Sequence, residues 1–199
     1  MSELASWLVL AGIVVAIVLL LAWRLATRLD GLHRQVLQAR ASLDTLLVRR
    51  AHEAMQLATS DLLDPASALL LAQAASEALD ASGTLADDGF SPRERYTLTR
   101  PDPTHTSTPR AAAESRLTQV LRVILSADVR EEIEAHESGR TLFFQLMRAN
   151  QQVAYARRFH NDHVSRCRQL RSQIIVRALH LAGRAAMPDT VDIDDVLNV

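Results

Sequence analysis

Apolar residues dominate the first part of the chain. Between Glu3 and Arg24 it reads LASWLVLAGIVVAIVLLLAW, twenty residues without a charged side chain. An α-helix of this length spans a hydrocarbon layer of ~30 Å at ~1.5 Å per residue. Trp7 and Trp23 lie near its two ends, where aromatic side chains favour the membrane interface. A cleaved signal peptide is the alternative, but the basic start and small-residue cleavage site that it requires are not evident, so the pattern predicts an uncleaved anchor over residues 1–23.

Basic residues follow this span but do not precede it. The first four are Arg24, Arg28, Arg34 and Arg40. By the positive-inside rule, the chain that follows the span lies in the cytoplasm and the N-terminus lies outside. The sequence therefore predicts a single-pass protein of the cell membrane. A reducing compartment also suits its one cysteine.

The helical pattern continues beyond the membrane span. Apolar residues recur at spacings of three and four, at Leu32, Val36, Ala39, Leu43 and Leu46. The anchor and the first helix of the soluble region are therefore predicted to form one rod that ends near Ser60. Asp64-Pro65 then has the pattern of an N-cap followed by proline in the first turn, which predicts a helix over 65–81.

Two further helices are predicted after a long proline-rich loop. Residues 82–110 hold four of the six prolines and show no sustained periodicity, which is typical of a mobile loop. A third helix is expected over 111–126. A final long helix begins between Asp128 and Gly139 and ends near Ala185, on a stripe made of Leu142, Leu146, Ala149, Val153, Ala156, His163, Cys167, Leu170 and Ile174.

These elements predict an all-α protein. Two long and two shorter helices over residues 24–185 form an antiparallel four-helix bundle with coiled-coil-like packing, continuous with the transmembrane helix. The last segment, 186–199, contains four aspartates and no basic residue, and it is predicted to be a disordered acidic tail.

Composition excludes several function classes. All 22 basic residues are arginine, so a phosphate-binding P-loop and lysine-based catalysis are both absent. The net charge of −1 argues against a nucleic-acid-binding protein, because such domains usually carry a basic excess. A single cysteine rules out an internal disulfide and any multi-cysteine zinc site.

The segment VAYARRFHNDHVSRCRQL carries the remaining candidate chemistry. His160, His163 and Cys167 fall along one helical face, a geometry that can supply metal ligands if His52 or Glu53 of the first helix completes the set. The histidine and cysteine four residues apart lack an orienting third group and an oxyanion-stabilising turn. We therefore interpret this face as a helix interface with no catalytic residue and no cofactor. Metal- or redox-linked chemistry at these three residues is the alternative.

The arginines of the same segment need acidic partners if they are buried, because an unpaired buried charge is costly. Asp162 lies four residues after Arg158, and Asp44 of the first helix is a candidate partner for Arg157. A different pairing across the helices would join Asp162 to Arg49 and Arg50. A solvated basic face with ordinary helix pairs is the third alternative.

The predicted end of the last helix is amphipathic. Between Ser172 and Arg184, one half of the helical wheel is apolar, with Ile174, Ile175, Ala178, Leu179, Leu181 and Ala182. In an antiparallel bundle this end returns to the membrane, where the apolar half can lie at the interface while Arg177 and Arg184 meet anionic lipid. Completion of the bundle core by the same face is the alternative.

Three segments of the chain resemble one known family. ARRFHND (156–162) followed by Val164, LDTLLVRRA (43–51) after a membrane span, and the helix ESRLTQVLRVIL (114–125) together resemble the LemA family. This is a group of bacterial membrane-anchored helical proteins that includes MamQ-like members, and the resemblance covers about residues 25–175. The positions that match the family pattern are Asp44, Arg49, Arg50, Arg157, Arg158, Phe159, Asn161 and Asp162.

The chain also departs from the family pattern. His160 replaces an aromatic residue, Asn150 stands where an acid is common, and Met55-Gln56 replaces a Pro-Asn pair. The resemblance implies a single-pass anchor with the N-terminus outside and a cytoplasmic four-helix bundle.

Together these observations predict a non-enzymatic, membrane-anchored helical scaffold or interaction protein at the cytoplasmic face of the membrane. Its expected partners are membrane lipid and a membrane or cytoplasmic protein that the sequence does not identify, with a homo-oligomer left open and nucleic acid excluded. An accessory subunit of a membrane transporter or protease complex is a further alternative.

Overall fold

The computed structural model describes residues 2–81, 85, 108–179 and 187–197, except for the side chains of residues 2–5. The described residues are helical or irregular and contain no β-strand. Their helices are α1 (Ser2–Ala58), α2 (Pro65–Asp80), α3 (Pro109–Ile124), α4 (Ala127–Ala135), α5 (Glu137–Ser172) and α6 (Ile174–Ala178). The all-helical prediction is confirmed. The prediction of a mobile loop over 82–110 lies almost wholly outside the described residues.

Helix α1 is the continuous rod that the sequence predicts. It runs for 57 residues without a break, and the side chains described in its first part, up to Leu21, are exposed. It is the one helix in the described residues that is long and apolar enough to span a membrane. Beyond Trp23 the first buried side chain is Leu29, and from Val36 onward every third or fourth side chain is buried. One helix therefore carries both an exposed apolar segment and one side of the protein core.

The N-terminus of α2 forms as predicted. The Asp64 carboxylate accepts hydrogen bonds from the backbone N–H groups of Ala66 and Ser67, at 3.0 and 3.1 Å, and Pro65 occupies the first turn. Hydrogen bonds from the Ser67 side chain and from these backbone N–H groups lower the pKa of Asp64, because they stabilise its charged form. At the start of α3, Thr108 plays the same capping role, and the helix begins two residues before the predicted start.

Helices α1 and α5 pack against each other in opposite directions. Three groups of buried apolar residues follow their contact: the Ala51–Ala58 part of α1 with Leu146, then Leu43 and Leu47 with Val153, and then Leu29 and Val36 with Val164. Helix α2 packs against α1 and α3, and α4 packs against α5.

The predicted final helix begins within the expected range, at Glu137, with the additional short helix α4 before it. Its predicted continuity is wrong, because α5 ends at Ser172 and α6 follows as a separate helix. His136 has an extended backbone between α4 and α5, and Gly139 then lies against the end of α4. A Cβ atom on Gly139 would lie 2.1 Å from the carbonyl oxygen of Ile133, so only glycine permits this close approach. A second break occurs at Gln173, whose ψ of 135° separates α5 from α6.

The prediction of a disordered tail is wrong for residues 187–197. This segment, called here the C-terminal segment, has no helix but contacts both α3 and α5. Val191 and Ile193 join the same apolar group as Leu43 and Leu47 of α1. The segment is ordered because these buried apolar side chains and a set of ion pairs offset its acidic character.

Candidate functional site

Helix α5 presents the ARRFHND segment to two different neighbours. Arg157 and Asn161 face the C-terminal segment, whereas Arg158 and Phe159 line an open groove beside α1. The candidate site therefore has an occupied side and an open side, and both depend on the helical spacing of this one sequence motif.

A buried charge network joins three helices in the core. Arg50 of α1 is completely buried, and its guanidinium group donates to the Glu114 carboxylate of α3 at 2.7 Å. It also donates to the Glu114 carbonyl, to Thr118 Oγ1 and to Asn150 Oδ1, at 3.1, 3.1 and 3.3 Å. These bonds compensate much of the cost of removing the charge from water. Glu114 thus supplies the acidic partner of Arg50, and Asn150 contributes an amide oxygen.

Arg157 pairs with the C-terminal segment. The hypothesis that Arg157 pairs with Asp44 is therefore wrong. Its Nε and Nη2 atoms donate to the two carboxylate oxygens of Asp195, at 2.6 and 2.9 Å. Asp195 is almost fully buried. These hydrogen bonds raise the pKa of Arg157, against the opposing effect of its partial burial. A bidentate ion pair of this kind fixes both the distance and the orientation of the guanidinium group relative to the carboxylate.

Asn161 binds the backbone of the C-terminal segment. Its side-chain Nδ2 donates to the carbonyl of Val191 at 3.0 Å, and its Oδ1 accepts from the N–H of the same residue at 2.9 Å. The amide group therefore contacts Val191 as a neighbouring β-strand would contact it. This arrangement fixes the register of the segment relative to α5.

Two more arginines complete the occupied side. Arg122 of α3 donates to the Asp194 carboxylate at 2.9 Å and to the Val196 carbonyl at 2.6 Å. Arg168 of α5 donates to the Pro188 carbonyl at 2.8 Å and pairs with Asp189. The C-terminal segment is thus held at both ends and in the middle.

The other predicted charge pairs are also different in the structure. Asp44 pairs with Arg110 at 3.2 Å, and Arg49 lies 3.5 Å from Glu53 of its own helix. Asp162 pairs with Arg166 one turn later, at 2.8 Å, and not with Arg158, Arg49 or Arg50. The predicted partners were wrong because many arginines and acids have suitable spacing, and only the fold selects among them. The pairs Arg49–Glu53 and Asp162–Arg166 are ordinary helix pairs, as in the third alternative.

The open groove lies between α1 and α5 and has a volume of about 870 Å³. Tyr155 and Phe159 line it although they are 67% and 60% exposed. The Phe159 ring meets the His163 ring edge to face, with centroids 4.3 Å apart. Gln35 and Gln38 of α1 form part of the opposite wall. The groove therefore combines exposed aromatic rings with amide groups.

The residues of the metal or redox hypothesis lie inside the protein. His160, His163 and Cys167 are buried along α5, whereas Glu53 pairs with Arg49 and His52 is exposed. No group of three histidine, cysteine, aspartate or glutamate side chains within the described residues is arranged to hold a metal ion. Burial raises the pKa of the Cys167 thiol, which lowers its reactivity as a nucleophile.

The end of the protein nearest to the apolar span exposes further apolar side chains. Ile174 and Ile175 of α6 are exposed, whereas Val176 is buried against the part of α1 that contains Leu29. Val176 lies on the opposite side of α6 from Ile174 and Ile175, and the break at Gln173 turns that side towards α1. The alternative in which Ile174 and Ile175 complete the core is contradicted.

The predicted membrane-interface residues lie at the two ends of the apolar span and on α6. Trp7, Trp23, Arg24, Arg28 and Arg177 are all exposed, and Arg184 lies outside the described residues.

Nearby on α1, His33 is partly buried. Burial and the neighbouring Arg171 both lower the pKa of His33, against the opposing effect of Asp30. The surroundings of His33 thus favour its neutral form.

Sequence reasoning missed the C-terminal segment and its partners. A usable signal was present, because Val191 and Ile193 alternate with Asp192 and Asp194 in the manner of an extended strand. The four aspartates concealed it, since acidic composition is typical of disorder.

Comparisons with known proteins identify no relative. No protein-family model matches the chain, and neither a curated protein nor a solved structure matches it.

Proposed function

We propose that this chain is a membrane-anchored helical interaction protein of the LemA type, without catalytic activity of its own. The observation that carries the proposal is the continuity of α1, which runs from an exposed apolar segment into the buried core without a break. A rigid connection of this kind holds a folded domain at a fixed height above the bilayer. The resemblance of the ARRFHND and LDTLLVRRA segments to the LemA family supports the same conclusion.

In this proposal the soluble region is an antiparallel four-helix bundle formed by α1, α2, α3 and α5. It stands on the cytoplasmic side of the cell membrane, because the arginines that follow Trp23 favour that side. The membrane-proximal face, with Ile174 and Ile175, rests at the lipid interface, and Arg177 meets anionic headgroups.

The absence of catalysis is supported by what the polar core residues do. Arg50 and Glu114 are joined by a structural ion pair, as are Arg157 and Asp195. Cys167 is buried with a raised pKa. These four charged groups are therefore engaged in holding the fold together, and the thiol is a weak nucleophile.

Cysteine accessibility in intact cells tests the anchor and its orientation. In a Cys167→Ser background, a membrane-impermeant thiol reagent is expected to label Ser2→Cys and to leave Glu131→Cys on α4 unlabelled until the membrane is permeabilised. Glu131 is suitable because its side chain is exposed in the folded protein. Labelling of Glu131→Cys before permeabilisation would show that the orientation is the opposite of the proposed one. Release of the full chain from membranes by alkaline washing would show that it has no transmembrane anchor.

A further inference from the structure

The C-terminal segment is bound in the way that a protein binds a peptide. It is extended, and its buried side chains alternate: Val191, Ile193 and Asp195 are buried, whereas Asp192 is exposed. Alternate burial is the pattern of a strand-like ligand that fills pockets with every second side chain. The neighbours on both sides are helices, so the segment has no backbone ladder to join.

Side chains of α3 and α5 recognise the backbone of the segment. In addition to the contacts of Asn161 with Val191, the Asn150 side chain donates to the Asp195 carbonyl at 3.2 Å. The backbone N–H of Asp194 donates to Ser115 Oγ at 3.1 Å. Contacts to backbone atoms hold an extended chain largely independently of its sequence, and pockets then supply the selectivity.

Charge supplies the second part of the recognition. The segment carries four aspartates and no basic residue, and Arg122, Arg157 and Arg168 each pair with one of those aspartates. The helices form their own backbone hydrogen bonds whether or not the segment is present. Departure of the segment would therefore leave exposed arginines and two small apolar pockets, and not a broken helix.

We propose that this slot between α3 and α5 is an exchangeable peptide-binding site for an extended acidic segment of pattern Val-x-Ile-x-Asp, presented by another protein chain. The C-terminal segment occupies the slot until such a segment replaces it. The inference rests on the proposed function, because it gives the interaction protein a surface and gives its partner a chemistry. Peptide binding does not depend on membrane orientation, so the two proposals can fail separately.

A labelled peptide with the sequence of residues 187–197 tests the proposal on the full chain in detergent. The attached segment competes at an effective concentration of about 1 mM, so the wild-type chain is expected to bind the peptide weakly. A variant with Val191→Ser, Ile193→Ser and Asp195→Asn weakens the attached segment. It is expected to bind the wild-type peptide at least about tenfold more tightly than the wild-type chain does, as measured by fluorescence anisotropy.

Two matched controls identify the slot as the binding site. Addition of Arg157→Ala to the weakened variant is expected to reduce peptide affinity by about tenfold or more, because the bidentate ion pair with Asp195 of the peptide is lost. A peptide that carries Asp195→Asn should lose affinity for the weakened variant to a similar degree. Equal affinity with and without Arg157, or no binding to a folded weakened variant, overturns the proposal.

Loss of folding in the weakened variant is also informative. Circular dichroism reports whether its helices persist. If they do not, the wild-type peptide at millimolar concentration is expected to restore them, because it refills the same pockets. A variant that stays unfolded with the peptide would show that the segment is a permanent part of the core, and the proposal would be wrong.

Discussion

Removal of the Glu114 carboxylate is expected to be among the most damaging single changes to this fold. In Glu114→Ala, the guanidinium group of Arg50 stays buried but loses its one anionic partner, which lies 2.7 Å away in the native protein. Arg50 is 0% exposed and Glu114 is 2% exposed, so water cannot readily replace the missing carboxylate. Breaking a buried pair in this way costs about 3–5 kcal/mol. That loss is a large share of the ~5–15 kcal/mol that stabilises a typical domain.

A second ion pair of α3 provides the matched control. Arg116 lies 3.4 Å from Glu77 of α2, but the side chains of the two residues are 64% and 37% exposed. Glu77→Ala therefore removes a solvent-screened pair and should cost no more than about 1 kcal/mol.

Urea unfolding of the full chain in detergent, followed by far-UV circular dichroism, measures both changes. The double change Arg50→Met/Glu114→Leu should recover part of the loss, because it removes the buried charge together with its partner. The reasoning is refuted if Glu114→Ala and Glu77→Ala destabilise the protein to within about 1 kcal/mol of each other.

Two further predictions concern α5 and α6. Because burial raises the pKa of Cys167, alkylation of its thiol should be much slower in the folded than in the urea-unfolded chain, and equal rates would contradict its burial. The free energy of unfolding should fall as the pH rises above the ordinary thiol range, because the unfolded chain loses the proton first. Cys167→Ala should cost on the order of 1 kcal/mol. On α6, Ile174→Ser/Ile175→Ser should reduce co-sedimentation of residues 29–199 with anionic liposomes. Val123→Ser on α3 changes another exposed apolar position and should have no such effect, and equal effects would argue against a lipid contact at α6.

Local features of this fold could be predicted from the sequence. The break-free course of α1 follows from apolar residues at helical spacing, and the start of α2 follows from Asp64-Pro65. Each of these features depends on residues within one or two turns of each other. The burial of Val36, Leu43, Val153 and other positions of the predicted stripes has the same origin.

Some boundaries could not be predicted, because they depend on contacts between elements. The position of Gly139 is decided by the Ile133 carbonyl that approaches it. The break at Gln173 turns α6, so Val176 is buried against α1, whereas Ile174, the last residue of the predicted stripe, is exposed. Periodicity predicts which side chains share a face only while the helix is continuous.

The candidate site was recognised from sequence only in part. The sequence by itself determined that Arg50, Arg157 and Asn161 project from helices. Only the tertiary structure decided their partners, because Glu114 and Asp195 are 64 and 38 residues away along the chain. With 22 arginines and 23 acids, charge allows many pairings of similar energy in water. Burial selects among them, since only a satisfied charge can stay inside a folded protein.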